Sequence, residues 1–161
     1  MKSAPGVKTE FKVFLDTSVL FSAVHSDTGG ARQILRLGEA KVISLWVGPR
    51  VLEEVEAVLN RKSPRSKGLF ALLLDRSGIQ VGGPAHSRAL DLSNSVIDYI
   101  PDARVVAEAL TVKADYFVSF DREHLIGNPR AKDLPFPIGT AGDFLSWLRE
   151  KLVVWERTDL D

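Results

Sequence analysis

Short apolar segments alternate with longer segments of helical periodicity along most of this 161-residue chain. Strands that are apolar throughout are typical of a parallel sheet covered by helices on both faces. We therefore predict one α/β domain whose central, mostly parallel sheet has four to five strands flanked by helices. The predicted strands are Phe11 to Leu15, Lys41 to Val47, Ile79 to Val81, Tyr116 to Phe120 and Phe136 to Ile138.

Between these strands, apolar residues recur every three to four positions, as in amphipathic helices. The length fits one domain, for which we expect a flexible leader at 1–10, a globular part at 11–152 and a tail at 153–161. Helices are predicted at Thr17 to Ala23, Ala31 to Ala40, Pro49 to about Asn60, Gly68 to Arg76, Ala85 to Ser93, Pro101 to about Lys113 and Ala141 to about Leu152.

The composition excludes several classes of protein. Lysine plus arginine equals aspartate plus glutamate at 21 each, so any attraction to nucleic acid must come from a local basic surface. The chain has no cysteine, which rules out disulfides and thiolate metal sites. The apolar stretch from Val13 to Val24 contains Asp16, whose charge is costly in a membrane segment. We expect a cytoplasmic protein without a membrane span.

Two acidic residues follow predicted strands directly. Asp16 comes after the first strand, and Asp121 comes just past the strand that ends near Phe120. In open α/β sheets, ligands bind beyond the carboxyl ends of the strands. Either residue alone is better explained as a helix or turn cap, which is a common role for aspartate.

Two predicted helices carry further acids. On the helix that starts at Pro49, the apolar stripe leaves Glu53 on the opposite side, while Glu54 and Glu56 border the stripe. Periodicity cannot choose between these two, and a solvated helix face would explain all three. Asp102 lies in the first turn of the predicted helix that starts at Pro101. An acid there is favoured by the helix dipole, by about 0.3–1 kcal/mol.

Several segments together resemble the PIN-domain ribonucleases, in particular their toxin-like branch. Residues 13–20 read Val-Phe-Leu-Asp-Thr-Ser-Val-Leu, and residues 100–110 read Ile-Pro-Asp-Ala-Arg-Val-Val-Ala-Glu-Ala-Leu. The most specific segment, at 114–125, reads Ala-Asp-Tyr-Phe-Val-Ser-Phe-Asp-Arg-Glu-His-Leu. The similarity spans roughly residues 13–148 and is weakest at 61–95. Ser18 stands where many members of the family have asparagine.

The resemblance implies a catalytic set of Asp16, Glu54, Asp102 and Asp121. Four converging carboxylates repel one another, by roughly 4 kcal/mol for a pair at about 4 Å and an effective dielectric near 20. A divalent cation relieves this repulsion, and oxygen ligands favour Mg²⁺ or Mn²⁺. Asp16, Asp102 and Asp121 are the expected metal ligands, and Glu54 is expected to hold a second ion or orient water. Asp98 is a spare carboxylate nearby.

Other residues are expected to support this pocket. Thr17 and Ser18 follow the first acid, and Ser119 precedes Asp121 by two positions, where it is either a hydrogen-bond donor or packing. The histidines, including His124, are more typical of surface residues than of ligands. A basic loop follows the predicted helix of Glu54. Its side chains either contact the RNA backbone or are simply solvated, and the sequence favours neither alternative. Its cations are Arg61, Lys62, Arg65 and Lys67.

The predicted activity is metal-dependent endonucleolytic cleavage of RNA. The family resemblance further implies the toxin of a toxin–antitoxin pair, with an antitoxin as partner and a homodimer formed through the segment from Gly68 to Ser93. The alternative is a catalytically silent PIN-like module that binds RNA or protein. A dehalogenase-type phosphatase would need an acid where Ser18 stands, and the chain has no glycine-rich nucleotide-binding loop.

Overall fold

Five parallel strands form one sheet at the centre of the molecule, in the order β3-β2-β1-β4-β5. In this computed structural model the described residues are 10–158, with side chains described to residue 154. The predicted leader lies outside them except for Glu10. The prediction of a parallel, helix-flanked sheet of four to five strands is confirmed. The strands are β1 (Lys12–Leu15), β2 (Ser44–Val47), β3 (Gln80–Val81), β4 (Tyr116–Val118) and β5 (Ile138–Gly139).

Helices connect the strands and cover both faces of the sheet. Short 3₁₀ turns at Pro64–Ser66 and Pro129–Asp133 complete the described backbone. None of the described helices is long and apolar enough to cross a membrane. The α-helices of the described chain are α1 (Thr17–His25), α2 (Gly30–Glu39), α3 (Pro49–Lys62), α4 (Lys67–Arg76), α5 (Ser87–Val96), α6 (Ile100–Thr111) and α7 (Ala141–Thr158).

The two central strands are buried on both faces, which explains why their residues are apolar without alternation. Val13, Phe14 and Leu15 of β1 are fully buried, as are Phe117 and Val118 of β4. The rings of Phe14 and Phe117 stack with their centroids 5.5 Å apart. Burying each such side chain contributes about 1.5–3 kcal/mol to the free energy of folding. These strands are therefore rigid supports for whatever follows them.

Two lysines end helices in a way that the sequence did not signal. Lys41 and Lys113 adopt positive φ angles of 61° and 58°, a conformation that is usual for glycine. After Lys41, the N–H of Val42 donates to the carbonyl of Leu37, which closes a Schellman turn. The predicted strand start at Lys41 is therefore wrong, and β2 begins only at Ser44.

The predicted basic loop is also wrong in its secondary structure. Arg61 and Lys62 form the last turn of α3, Arg65 lies in a 3₁₀ turn, and Lys67 begins α4. All four cations remain exposed. At the other end of the chain, α7 continues to Thr158 and so includes part of the predicted tail.

Candidate metal centre

The register of the sheet brings the residues that follow β1 and β4 side by side. Leu15 pairs with Val118, and the N–H of Asp16 then donates to the carbonyl of Val118 at 3.0 Å. Asp16 and Ser119 are consequently neighbours at the carboxyl edge of the sheet. Asp121 follows two residues later. The strand-end position predicted for both acids therefore places them at one edge.

Asp16 is both a helix cap and part of a polar cluster. Its carboxylate accepts from the N–H of Thr17 at 2.9 Å and from the hydroxyl of Ser119 at 2.7 Å. The residue is only 8% exposed. Burial is the main cause that raises its pKa to about 6, and the charges of Glu54 and Asp121 raise it further against the hydrogen bonds from Ser119 and Thr17. The cap and the site interpretations thus hold together.

Ser119 links the two strand-end acids. Its fully buried hydroxyl donates to Asp16 Oδ2 and accepts from the backbone N–H of Asp121 at 3.0 Å. Of the two roles that the sequence left open for Ser119, hydrogen bonding and packing, the structure supports hydrogen bonding. On the other side of this edge, Ser18 Oγ accepts from the N–H of Phe120 at 3.1 Å, which ties α1 to the segment after β4. Serine at position 18 thus has a structural role of its own.

Asp121 sits in a tight turn that stabilises its charged form. Its Oδ1 accepts from the N–H groups of Glu123 at 2.9 Å and His124 at 3.0 Å. Burial alone would raise the pKa of Asp121, but these N–H groups and the Asp102 side chain lower it overall. Asp121 is therefore the member of the cluster whose surroundings favour the charged carboxylate.

Asp102 is the member of the cluster whose carboxyl group has an unpaired buried oxygen. It lies in the first turn of α6, and its buried Oδ2 has no hydrogen-bond partner among the described residues. Burial first, and then the adjacent Asp121 carboxylate, raises its pKa to about 8. Asp16 and Glu54 raise it further through their charges. A buried acceptor without a donor is costly, so Asp102 Oδ2 is suited to a cation or a proton.

Glu54 reaches the same cluster from α3. Its Oε2 accepts from the hydroxyl of Thr17 at 2.9 Å. Its charge contributes to the raised pKa values of Asp16 and Asp102. Periodicity had left Glu54 and Glu56 equivalent, and this contact identifies Glu54 as the one that faces the other acids.

His124 is the residue that sequence reasoning undervalued. One ring nitrogen of His124 and carboxylate oxygens of Asp102 and Asp121 all lie within 4.8 Å of one another, a spacing suited to a metal ion. Asp16 is outside this set of three, and its oxygens accept from Thr17 and Ser119. The turn at Asp121 brings His124 inward, and only the spacing from Asp121 to His124 hinted at it. Carboxylate and imidazole ligands together suit Mn²⁺. Mg²⁺ prefers oxygen ligands and would be held mainly by the carboxylates.

One suggested ligand lies elsewhere. Asp98, the spare carboxylate, accepts from Arg130 Nη2 at 2.7 Å and is largely exposed. It is therefore engaged in a surface ion pair and not in the acidic cluster. We call the cluster of Asp16, Glu54, Asp102, Asp121 and His124 the acidic pocket.

The raised pKa values predict how a cation would bind to the acidic pocket. Asp102, with a pKa of about 8, and Asp16, with a pKa of about 6, must lose protons before their oxygens can ligate. The affinity for Mn²⁺ should therefore rise with pH between about 5.5 and 8.5, with protons released on binding. Calorimetric titrations in buffers of different ionisation enthalpy measure both quantities. An affinity that stays constant between pH 6 and 8 would contradict this picture.

Comparison with known proteins agrees with the fold and with the motifs. The family model of the PIN domain matches residues 12–123, which is most of the chain and includes every member of the acidic pocket except His124. Among solved structures, VapC20 from Mycobacterium tuberculosis, described as a sarcin-ricin loop cleaving toxin, is similar at 17% identity and a TM-score of 0.49. That likeness covers 73% of this chain and 99% of that chain. A search of curated proteins returned no match. With a family model matched over so much of its length, this chain belongs to the PIN-domain family.

Proposed function

We propose that this chain is a divalent-metal-dependent endoribonuclease that hydrolyses RNA phosphodiester bonds in the acidic pocket. The observation that carries the proposal is the convergence of four acids from distant parts of the sequence. Asp16 and Asp121 follow the strands β1 and β4. Glu54 lies in α3, and Asp102 lies in α6. The charges of the other acids raise the pKa values of Asp16 and Asp102, which supports a placement within electrostatic reach of one another. Such repulsion persists in folded proteins chiefly where a ligand or a reaction requires it.

The four acids of the acidic pocket and Ser119 have distinct roles in this proposal. Asp102 and Asp121 are the primary ligands, and Asp16 ligates directly or through water. A bound Mg²⁺ or Mn²⁺ would polarise the scissile phosphate and lower the pKa of a water molecule. Glu54, held by Thr17, is placed to orient water or to hold a second ion. Ser119 keeps Asp16 and the backbone of Asp121 at a fixed separation.

The exposed cations at the end of α3 are the proposed contacts for the RNA backbone. Two of them form the last turn of α3, the helix that carries Glu54, the other two follow it directly, and all four side chains are exposed. Because the formal net charge of the chain is zero, binding to phosphates has to rest on such a local cluster. The residues are Arg61, Lys62, Arg65 and Lys67.

The toxin role is a further step that rests on the motif resemblance. It gives the chain an antitoxin protein as a partner that covers the acidic pocket. It also gives a homodimer, for which α4 and α5 offer exposed apolar side chains such as Leu69, Leu72 and Leu92. Size measurement in solution, with and without co-expressed neighbouring gene products, tests both partners.

The activity itself is tested with purified protein and mixed RNA. We expect cleavage in Mn²⁺ or Mg²⁺, none in chelator, and products whose ends map to internal bonds. Asp121→Asn should lose the activity, whereas Glu150→Gln, which removes an exposed acid of α7 outside the acidic pocket, should keep it. If wild-type protein binds RNA but cleaves none under any of these cations, the chain is a silent binding module. Cleavage that survives Asp121→Asn would place the reaction elsewhere.

A further inference from the structure

Beside the acidic pocket, an exposed tyrosine lies flat on the histidine. The rings of Tyr99 and His124 stack with centroids 4.3 Å apart and an angle of 13° between their planes. Tyr99 is nevertheless 48% exposed, so the ring has surface open to solvent. Its side chain does not cap α6, although Tyr99 occupies the capping position. The ring is therefore available for another contact.

A cavity of about 350 Å³ opens next to this stacked pair. Since a ring nitrogen of His124 also lies within 4.8 Å of Asp102 and Asp121 oxygens, the cavity borders the acidic pocket through a single side chain. A volume of this order is at the lower end of the range for small-molecule sites. The side chains that line it include those of Asp98, Tyr99, Glu123, His124, Asn128 and Arg130.

The charges around this cavity are unfavourable for a phosphate. Asp98 and Glu123 are highly exposed carboxylates, with 89% and 84% of their side chains accessible. Arg130 is the only lysine or arginine among the described residues of the lining, and Asp98 neutralises it. Carboxylates can instead accept hydrogen bonds from the N–H groups of a base. The site thus combines an aromatic face with acceptors.

We propose that this cavity, which we call the Tyr99 cavity, binds the base of a nucleotide flanking the scissile phosphate of single-stranded RNA. The base stacks on Tyr99 and extends the Tyr99–His124 pair, while Asp98 or Glu123 accepts from its N–H groups. Stacking of a base on an aromatic side chain is a recurrent way to hold single strands. The inference rests on the proposed nuclease function and adds a determinant of where the strand is held.

The first test is RNA binding by proteins that do not cleave. In an Asp16→Asn background with Mg²⁺, a labelled single-stranded RNA pool is titrated against three further variants. Tyr99→Leu, which keeps apolar volume but loses the ring, should weaken binding about tenfold. Tyr99→Phe should stay within about twofold, and so should Val42→Ala, which removes an exposed apolar side chain (39%) from the loop before β2. Unchanged affinity in Tyr99→Leu would overturn the proposal.

The second test shows whether Tyr99 contacts a base and not merely the strand. Oligonucleotides with one abasic ribose at successive positions are bound to the Asp16→Asn protein with and without Tyr99→Leu. At one position, removal of the base should weaken RNA binding about tenfold when Tyr99 is present and hardly at all in Tyr99→Leu. Such a difference is a direct coupling between the ring and the base. Equal penalties at every position would overturn the proposal, even if Tyr99→Leu binds weakly. Mn²⁺ affinity measured on each variant shows that the acidic pocket is intact.

The two proposals fail in distinguishable ways. If wild-type protein cleaves no RNA but the coupling between Tyr99 and one base appears, the base site stands and the nuclease function falls. If wild-type protein cleaves RNA and Tyr99→Leu leaves KM, kcat and cut positions unchanged, the base site falls and the nuclease function stands.

Discussion

Replacing Asp16 with asparagine is expected to reduce metal-dependent RNA cleavage by at least about a hundredfold, because residues that merely hydrogen-bond to metal ligands already contribute ten- to a hundredfold. Asparagine keeps the shape, its oxygen can still accept from the N–H of Thr17, and its NH2 group can donate to the hydroxyl of Ser119, so the fold should be retained. Initial rates with a defined RNA in Mn²⁺ measure the loss. A variant that cleaves as fast as the wild type would remove Asp16 from the reaction.

The same substitution should stabilise the protein when no cation is present. Burial raises the pKa of Asp16 from 3.8 to about 6, so the folded state holds this proton more tightly than the unfolded state. The free energy of unfolding therefore falls as pH rises from about 4, and the full penalty is present above pH 6. At pH 7 in chelator, Asp16→Asn should gain on the order of 2 kcal/mol. Near pH 3 the difference should disappear, because both states of the wild type are then protonated.

A matched control has the opposite sign. Hydrogen bonds from the N–H and then the hydroxyl of Thr140 lower the pKa of Asp143 at the start of α7. Its charge therefore favours the folded state, and Asp143→Asn should lose stability at pH 7. Thermal unfolding of both variants with and without Mn²⁺ gives the comparison. If Asp16→Asn in chelator is less stable than the wild type at pH 7, the buried charge of Asp16 does not destabilise the folded state.

Replacing Gly48 with alanine is expected to lower the free energy of unfolding by roughly 1–3 kcal/mol, a typical effect of overpacking. A Cβ at this position would lie 1.8 Å from Oε2 and 2.9 Å from Cβ of Glu108. Glu108 is only 2% exposed, and its carboxylate accepts from the N–H of Arg50 in the first turn of α3. The side chain cannot move away without losing this contact. Urea denaturation measures the change.

The effect should extend to catalysis, because Glu108 connects the two helices that carry Glu54 and Asp102. A displaced α3 would move Glu54 from Thr17, so the cleavage rate should fall along with stability. Gly68→Ala is the control, since nothing lies within 4 Å of a Cβ there and alanine in a helix is favourable by up to about 1 kcal/mol. Adding Glu108→Ala to Gly48→Ala should recover part of the loss. Gly48→Ala as stable as the wild type would mean that Glu108 is not fixed against α3.

The parts of the site that the sequence predicted are those set by strand direction. Asp16 and Asp121 each follow an apolar strand, and parallel strands end at the same edge of a sheet. Asp102 could be placed only with the help of the motif around it, because an acid in the first turn of a helix has a sufficient structural explanation in the helix dipole.

Other features of the structure depend on hydrogen bonds that the periodicity of the sequence does not encode. Glu54 and Glu56 border the apolar stripe of α3 equally, and the choice between them depends on where Thr17 of α1 lies. His124 enters the acidic pocket because its N–H and that of Glu123 fold the backbone around Asp121. The lysines at positions 41 and 113 take a left-handed conformation at helix ends, where the sequence offers no glycine. The choice of Glu54 is decided by a contact between two helices, and the turn at Asp121 by hydrogen bonds within one short segment.

Separate segments of the chain are expected to assemble one binding site for a divalent cation. Anomalous diffraction from crystals soaked in Mn²⁺ measures whether a cation binds there. We predict a manganese peak in contact with the carboxylates of Asp102 and Asp121, and its loss in Asp121→Asn. Manganese bound only at other surface positions, with no peak at these carboxylates, would contradict the account.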